Sequence, residues 1–243
     1  MSDNIVFNTD QIATYYSQNR IAWHDFYESE RHVMDLLHLT PGSSVLDVGC
    51  GCGGLGLVLS ERYGCTNYLG VEINAPAVQL AKQLNPFANI ICSDILDPSL
   101  ILPDKADVVF SLSCIDWNVE FQKMLAKCWS CVSPNGYLVL SLRLTDKNSI
   151  LDESQSFQYI SFDGTEATET APYSVLNIND CIVTLLALSR VEDIYAYGYV
   201  GPPSITAVTP YKEICFSVFR IKKSVNHSHS VSIKLDIPLA HSF

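Results

Sequence analysis

Apolar residues along the chain fall into short, nearly continuous runs at 44–48, 68–72, 89–92, 106–111 and 137–142, each bounded by polar or turn-forming residues. Runs this short and this uniformly apolar read as strands covered on both faces, because half-exposed strands alternate. Between them the spacing changes to the helical interval. Leu55 to Tyr63 reads as a helix stopped by Gly64, and Asn74 caps another with Pro76 in its first turn, continuing to about Leu84. Ser133-Pro134-Asn135-Gly136 is a turn leading into the fifth run. Strand and helix alternating in this way predict an α/β fold with a mostly parallel sheet.

The flanks follow other patterns. Thr9 or Asp10 can cap a first helix through Ile12, Tyr15, Tyr16 and Asn19, and a second amphipathic stretch runs from Trp23 through Tyr27 to Leu37, ended by Thr40-Pro41-Gly42. After Arg143 the periodicity breaks, and residues 145–176 are polar and turn-rich, with Tyr159, Phe162 and Tyr173 interspersed. An aperiodic segment of this length reads as a lid rather than a simple connector. Asn179 can cap a helix through Leu188, and runs at 194–199 and 214–221 predict a hairpin forming the antiparallel edge of the sheet. In the tail after Ser224, residues 231–237 alternate and can add a strand. There is no internal repeat. The expectation is one domain over 1–243, comprising a helical cap (1–40), a core (41–144), the lid-like insertion (145–176), a C-terminal helix and hairpin (177–223) and a tail (224–243).

Candidate chemistry concentrates where the first run ends. Val45-Leu46-Asp47-Val48-Gly49-Cys50-Gly51-Cys52-Gly53-Gly54 joins an apolar strand, an acid and a glycine-rich turn, and glycines let the backbone turn tightly and approach a ligand where a Cβ would collide. The second run ends in Glu72, 21 residues after Gly51, about where a ribose-binding acid lies in nucleotide folds. The third ends at Ser93-Asp94. Gly49-x-Gly51-x-x-Gly54 also satisfies the dinucleotide fingerprint, but Asp47 would set a negative charge against a pyrophosphate. A ligand bearing a sulfonium and an ammonium group would be attracted.

On these residues the chain resembles the class I S-adenosylmethionine-dependent methyltransferases, most closely over about residues 40–145. The resemblance implies a single Rossmann-like domain with a seven-stranded, mostly parallel sheet, helices on both faces and an N-terminal helical cap. It implies that Gly49, Gly51 and Gly53 line the methionine part of the cofactor, that Glu72 with Ile73 holds the ribose, and that Asp94 and Ile95 flank the adenine. Asp47, Ser111 and Tyr16 complete the implied cofactor set. The segment Leu112 to Asn118 lies where such enzymes place groups facing the transferred methyl, which makes Asp116 a candidate general base. His24, in the aromatic N-terminal region, is a second candidate, with a surface histidine as the alternative reading. Trp117, Trp23 and Tyr159 are candidate substrate contacts, each also readable as a packing residue.

Composition narrows the partners. The formal charge is −11, and the one basic cluster, Arg220-Ile221-Lys222-Lys223, is short, which disfavours a nucleic-acid substrate or an anionic membrane surface. No stretch of eighteen consecutive apolar residues occurs, and the first residues lack the pattern of a signal peptide, so the expected location is cytoplasmic. The nine cysteines read as reduced core residues, and Cys50-x-Cys52 and Cys128-x-x-Cys131 lack the second ligand pair of a metal site. The expected reaction is methyl transfer to a small polar acceptor, a hydroxyl of a sugar or similar metabolite or an amine, with a homodimer possible. An NAD(P)-dependent oxidoreductase and a non-catalytic cofactor-binding protein are the alternatives.

Overall fold

The computed structural model describes residues 4–6, 11–86, 88–118, 121–160, 169–226 and 230–239. Helices α1 (Gln11–Asn19) and α2 (Glu28–Asp35) precede β1 (Val45–Val48), α3 (Gly54–Tyr63), β2 (Tyr68–Glu72), α4 (Ala75–Leu84), β3 (Asn89–Cys92) and β4 (Ala106–Ser111). Then follow α5 (Phe121–Ser130), β5 (Val132–Thr145), β6 (Phe157–Tyr159), β7 (Thr170–Pro172), β8 (Leu176–Asn177) and α6 (Ile178–Leu186). The chain closes with β9 (Val191–Gly201), β10 (Ala207–Val208), β11 (Ile214–Lys223) and β12 (Ser232–Asp236).

The main sheet has the order β12-β9-β11-β5-β4-β1-β2-β3, with β8 added beside β5. Within it only β11 runs against its neighbours. Successive residues on the central strands serve opposite faces, as strand geometry requires. Val45, Val108, Val139 and Val218 pack with Val33, Met34, Leu55, Leu59 and Val78 from α2, α3 and α4. Leu46, Val109, Leu140 and Phe219 pack with Leu125, Trp129, Ile182 and Leu185 from α5 and α6. Burial on both sides explains the uninterrupted apolar runs.

Several expectations are corrected. The sheet has nine strands rather than seven, and the β9/β11 hairpin is internal because β12 pairs with β9 from Ser232↔Asp193 to Asp236↔Tyr197. The 145–176 segment is not devoid of structure: β6 pairs with β7 and with β10, making a small antiparallel sheet. Phe162 lies outside the described residues, as do Thr9 and Asp10. Helix α6 starts earlier than expected because Asn177, not Asn179, caps it, its side chain accepting from the Asn179 and Asp180 N–H groups. The second N-terminal helix is interrupted by a 3-10 turn at Trp23–Asp25. There the Asp25 carboxylate accepts from the Ile21 and Ala22 N–H groups at 3.0 and 2.9 Å, which favours a turn over a continued helix.

The C-terminal end of α1 is docked through a glycine. A Cβ built on Gly54 would run into the Arg20 carbonyl oxygen and lie 3.1 Å from the Ile21 Cα. That approach holds the end of α1 against the start of α3. Gly54→Ala must push the Arg20 backbone outward, so unfolding by urea should show a loss of about 1–3 kcal/mol; an unchanged midpoint would mean that α1 docks by other contacts.

Candidate functional site

Strand order reverses direction at β1, whose neighbours are β2 and β4, and in open α/β sheets such a point leaves a crevice beyond the carboxyl ends of the strands. A cavity of about 150 Å³ lies there. Its floor is the turn after β1. The Gly49 and Cys50 N–H groups both donate to the Val71 carbonyl, at 2.8 and 3.2 Å, and Gly51 N–H donates to Glu72 Oε2 at 2.9 Å. Gly49 and Gly51 have φ of 75° and 53°, and a Cβ on Gly49 would strike the Cys114 sulfur. The turn therefore presents bare backbone to the cavity.

Three acids approach this floor from successive strands. Asp47 is buried, and Oδ2 accepts from the Tyr68 hydroxyl at 2.6 Å. Burial raises its pKa to about 7, with the Tyr68 hydrogen bond and the Arg20 charge opposing the rise. Gly56 makes that contact sterically possible, because a Cβ there would lie 2.9 Å from the Tyr68 ring. Glu72 accepts from Gly51 N–H through one oxygen and from Asn74 N–H at 2.8 Å through the other. Its pKa is also raised, by burial against those backbone donors. Asp94 Oδ1 accepts from Leu96 N–H at 2.8 Å and from the Asn4 side-chain amide at 2.6 Å.

Tyr16 from α1 lines the same cavity, its ring carbons 3.8 Å from the position of a Cβ on Gly51, and burial raises its phenol pKa. Ile73 and Ile95 complete the placement of the expected cofactor residues. Two do not line the cavity. Gly53 instead takes the left-handed position that starts α3, with φ of 74°, and Gly54 faces the cavity in its place. Ser111 is fully buried in β4.

A second cavity of about 50 Å³ adjoins the first, and Ser113 and Trp117 line both. Asp116 lies here rather than in the larger cavity. Its Oδ2 is 2.9 Å from Arg143 Nε, and its backbone carbonyl accepts from Arg143 Nη2 at 2.7 Å. Burial raises the Asp116 pKa while Arg143 pulls it back. Tyr27 and Tyr173 form further walls, with the Arg143 guanidinium 3.9 Å from the Tyr173 ring centre.

Three expected residues are elsewhere. His24 is on the exposed face of the 3-10 turn, its side chain 82% accessible and 3.3 Å from Asp25, because the turn directs it to solvent. Trp23 packs under the Arg62 guanidinium at 4.1 Å and against Tyr63. Tyr159 sits on β6, edge-to-face with Phe157 at 5.3 Å. None of the three lines either cavity.

Other site residues carried no local signal. Arg20 lines the larger cavity and pairs with Glu30, fully buried in α2, at 3.0 Å. Asn4 and Asn118, which also line the larger cavity, bond to each other. Only a charged residue next to a helix end, as at Arg20, could have prompted its selection.

The family model described as a methyltransferase domain matches residues 46–140, the segment from β1 into β5. A 2-methyl-6-phytyl-1,4-hydroquinone methyltransferase from Synechocystis is 31% identical over 133 residues, covering 54% of this chain and 40% of that protein. Phosphoethanolamine N-methyltransferase 1 of Zea mays is 37% identical over 117 residues, 47% of this chain and 23% of that protein. This chain spans about half or less of the length of curated relatives such as these, from 23% to 51%. Among solved structures, the Haemonchus contortus phosphoethanolamine N-methyltransferase 2 superposes with a TM-score of 0.62 at 14% identity, over 89% of this chain and 58% of that one. CalS10, an amino pentose methyltransferase from Micromonospora echinaspora solved with S-adenosylmethionine bound, gives 0.54 at 15% identity over 92% and 100%. The fold is that of the Rossmann-like methyltransferases. With its glycine turn, the segment 46–140 is similar to the methyltransferase domain of these proteins.

Asp47 couples this site to stability. Its native pKa of about 7 stands above the roughly 3.9 of an exposed carboxyl, so the folded chain holds more protons between those values. The stabilising effect is complete below about pH 4 and is lost as pH rises toward 7, at up to about 1.4 kcal/mol per pH unit. Subtracting the urea-derived stability of Asp47→Asn from that of the parent chain should reveal this falling slope; a flat difference would show Asp47 ionised throughout.

Proposed function

We propose that the chain transfers the methyl group of S-adenosylmethionine to the hydroxyl or amine of a small polar acceptor. The observation that carries this reading is the pair of adjoining cavities, one lined by acids and bare backbone, the other by aromatic and hydroxyl side chains. The larger suits the cofactor. Asp47, Glu72 and Asp94 set three carboxyl groups around it, against one cation, Arg20, among its described lining residues. That balance favours a sulfonium and an ammonium group and opposes the two negative charges of a nicotinamide dinucleotide's pyrophosphate. Glu72, fixed by two backbone N–H groups, retains lone pairs for ribose hydroxyls, and Asp94 with Ile95 flanks the adenine. Tyr16 and Arg20 wall the cavity on the α1 side and limit water access.

When bound, S-adenosylmethionine supplies a methyl carbon already activated by its sulfonium, so the residues of the chain mainly align the acceptor and exclude water. The acceptor enters the smaller cavity, where Trp117 and Ser113 border both spaces and Asp116 is the general base. Tyr173 brings the 145–176 segment into that wall, which supports a covering role for it. Kinship does not choose the acceptor: the relatives' names span a hydroquinone, trans-aconitate and phosphoethanolamine. All nine cysteines are free, which suits a reducing cytoplasm, and no described helix is long and apolar enough to cross a membrane.

Calorimetric titration with S-adenosylmethionine, S-adenosylhomocysteine and NAD tests the cofactor. Both sulfur nucleosides should bind at micromolar concentrations, and Glu72→Ala should weaken them at least about tenfold, the loss expected with hydrogen bonds to a charged acceptor. Affinity for the sulfonium form should rise as pH increases through about 7, where Asp47 ionises. Binding of NAD alone would overturn the reading.

A further inference from the structure

The smaller cavity contains an unmet acceptor. Asp116 is 6% exposed, and its Oδ1 is buried with no hydrogen-bond partner among the described residues. A buried carboxylate oxygen left without a donor is costly, and a ligand group that donates to it removes the penalty. The surrounding charges are already matched in pairs. Arg143 is ion-paired with Asp116 through Nε, which makes no aligned hydrogen bond, and donates through Nη2 to the Asp116 carbonyl; its guanidinium lies over Tyr173 at 3.9 Å and Trp117 at 5.1 Å. Glu30, the other acid of this cavity, pairs with Arg20 and accepts from Tyr27 N–H at 2.9 Å. A negatively charged group entering here would meet two carboxylates whose cations are committed.

From this juxtaposition we propose that the smaller cavity selects acceptors whose reacting atom carries a proton, an amine or a hydroxyl on an apolar body, donates that proton's hydrogen bond to Asp116 Oδ1, and rejects carboxylates and phosphates. The inference rests on the methyl-transfer reading for its chemistry, but the head-group preference is a property of the cavity alone. On methylation the acceptor atom's lone pair forms the bond to the methyl carbon, and the pair of the breaking carbon–sulfur bond stays on sulfur. The acceptor's N–H or O–H proton passes to Asp116 Oδ1. The rings of Tyr27, Trp117, Tyr173 and Phe216 supply contact for the apolar body.

The test uses the full chain and three probes with one body, benzylamine, benzyl alcohol and benzoate, their affinities read by ligand-observed NMR without cofactor. Benzylamine, benzyl alcohol or both should bind about tenfold or more tightly than benzoate, the scale of a hydrogen bond to a charged group. Preference for benzylamine would assign an amine acceptor and preference for benzyl alcohol a hydroxyl. Asp116→Asn should bring the best probe to within about threefold of benzoate. Because that variant strands Arg143, the double variant Asp116→Asn/Arg143→Met, which removes both charges, is measured beside it. S-adenosylhomocysteine titration of each variant reports folding and tests the cofactor reading separately. Benzoate binding as tightly as the other two, failure of all three probes to bind, or a preference that survives in both variants would overturn the proposal.

Discussion

The turn after β1 is clamped to the end of β2, and the rest of the site depends on that clamp. Gly49 and Cys50 spend their N–H groups on the Val71 carbonyl, and Gly51 spends its own on Glu72. The loop is thereby satisfied from the sheet side, as buried backbone must be, and its opposite surface is left for a ligand. Glu72 is positioned by the same contacts, so the turn and its acid are set together. Neither would hold its place if the glycines carried side chains, since left-handed backbone at Gly49 and Gly51 is what lets the chain reverse within reach of Val71.

Upon this base the N-terminal residues build the outer wall. Gly54 admits the Arg20 backbone, α1 settles against α4 through Ala13, Cys52 and Ala77, and Tyr16 comes to rest over Gly51. Arg20 then reaches Glu30, which ties α1 to α2 and links the larger cavity to the smaller. The second buried pair, Asp116 with Arg143, joins the segment after β4 to β5. Buried ion pairs add little net stability, because desolvation offsets most of the attraction, but breaking one strands a charge. Their effect here is to hold charged groups at defined places beside a cavity.

The mostly parallel core, the helix-stopping Gly64, the cap at Asn74 and the position of the glycine turn were legible in the sequence because each depends on neighbours within a few residues. So was the place of Asp47, Glu72, Asp94 and Ile95, which lie at or just beyond the carboxyl ends of β1, β2 and β3 and line the cavity there. His24, Trp23 and Tyr159 lie outside both cavities; an aromatic or a histidine near a helix start, or in an aperiodic segment, looks the same in sequence whether it faces a cavity or solvent. The 3-10 turn held by Asp25 decided the first two, and the small β6–β7–β10 sheet decided the third.

What the sequence determined by itself is local: which segments are strands or helices, where the backbone must bend, and which acids end the strands of the core. Tertiary structure alone decided that Gly54 rather than Gly53 lines the larger cavity, that Arg20 meets Glu30, and that Asp116 meets Arg143 in a separate cavity. It also decided that β12 covers the β9 edge. Those outcomes depend on contacts between residues distant along the chain, and the burial that shifts the Asp47 pKa exists only once the helices have closed over both faces of the sheet.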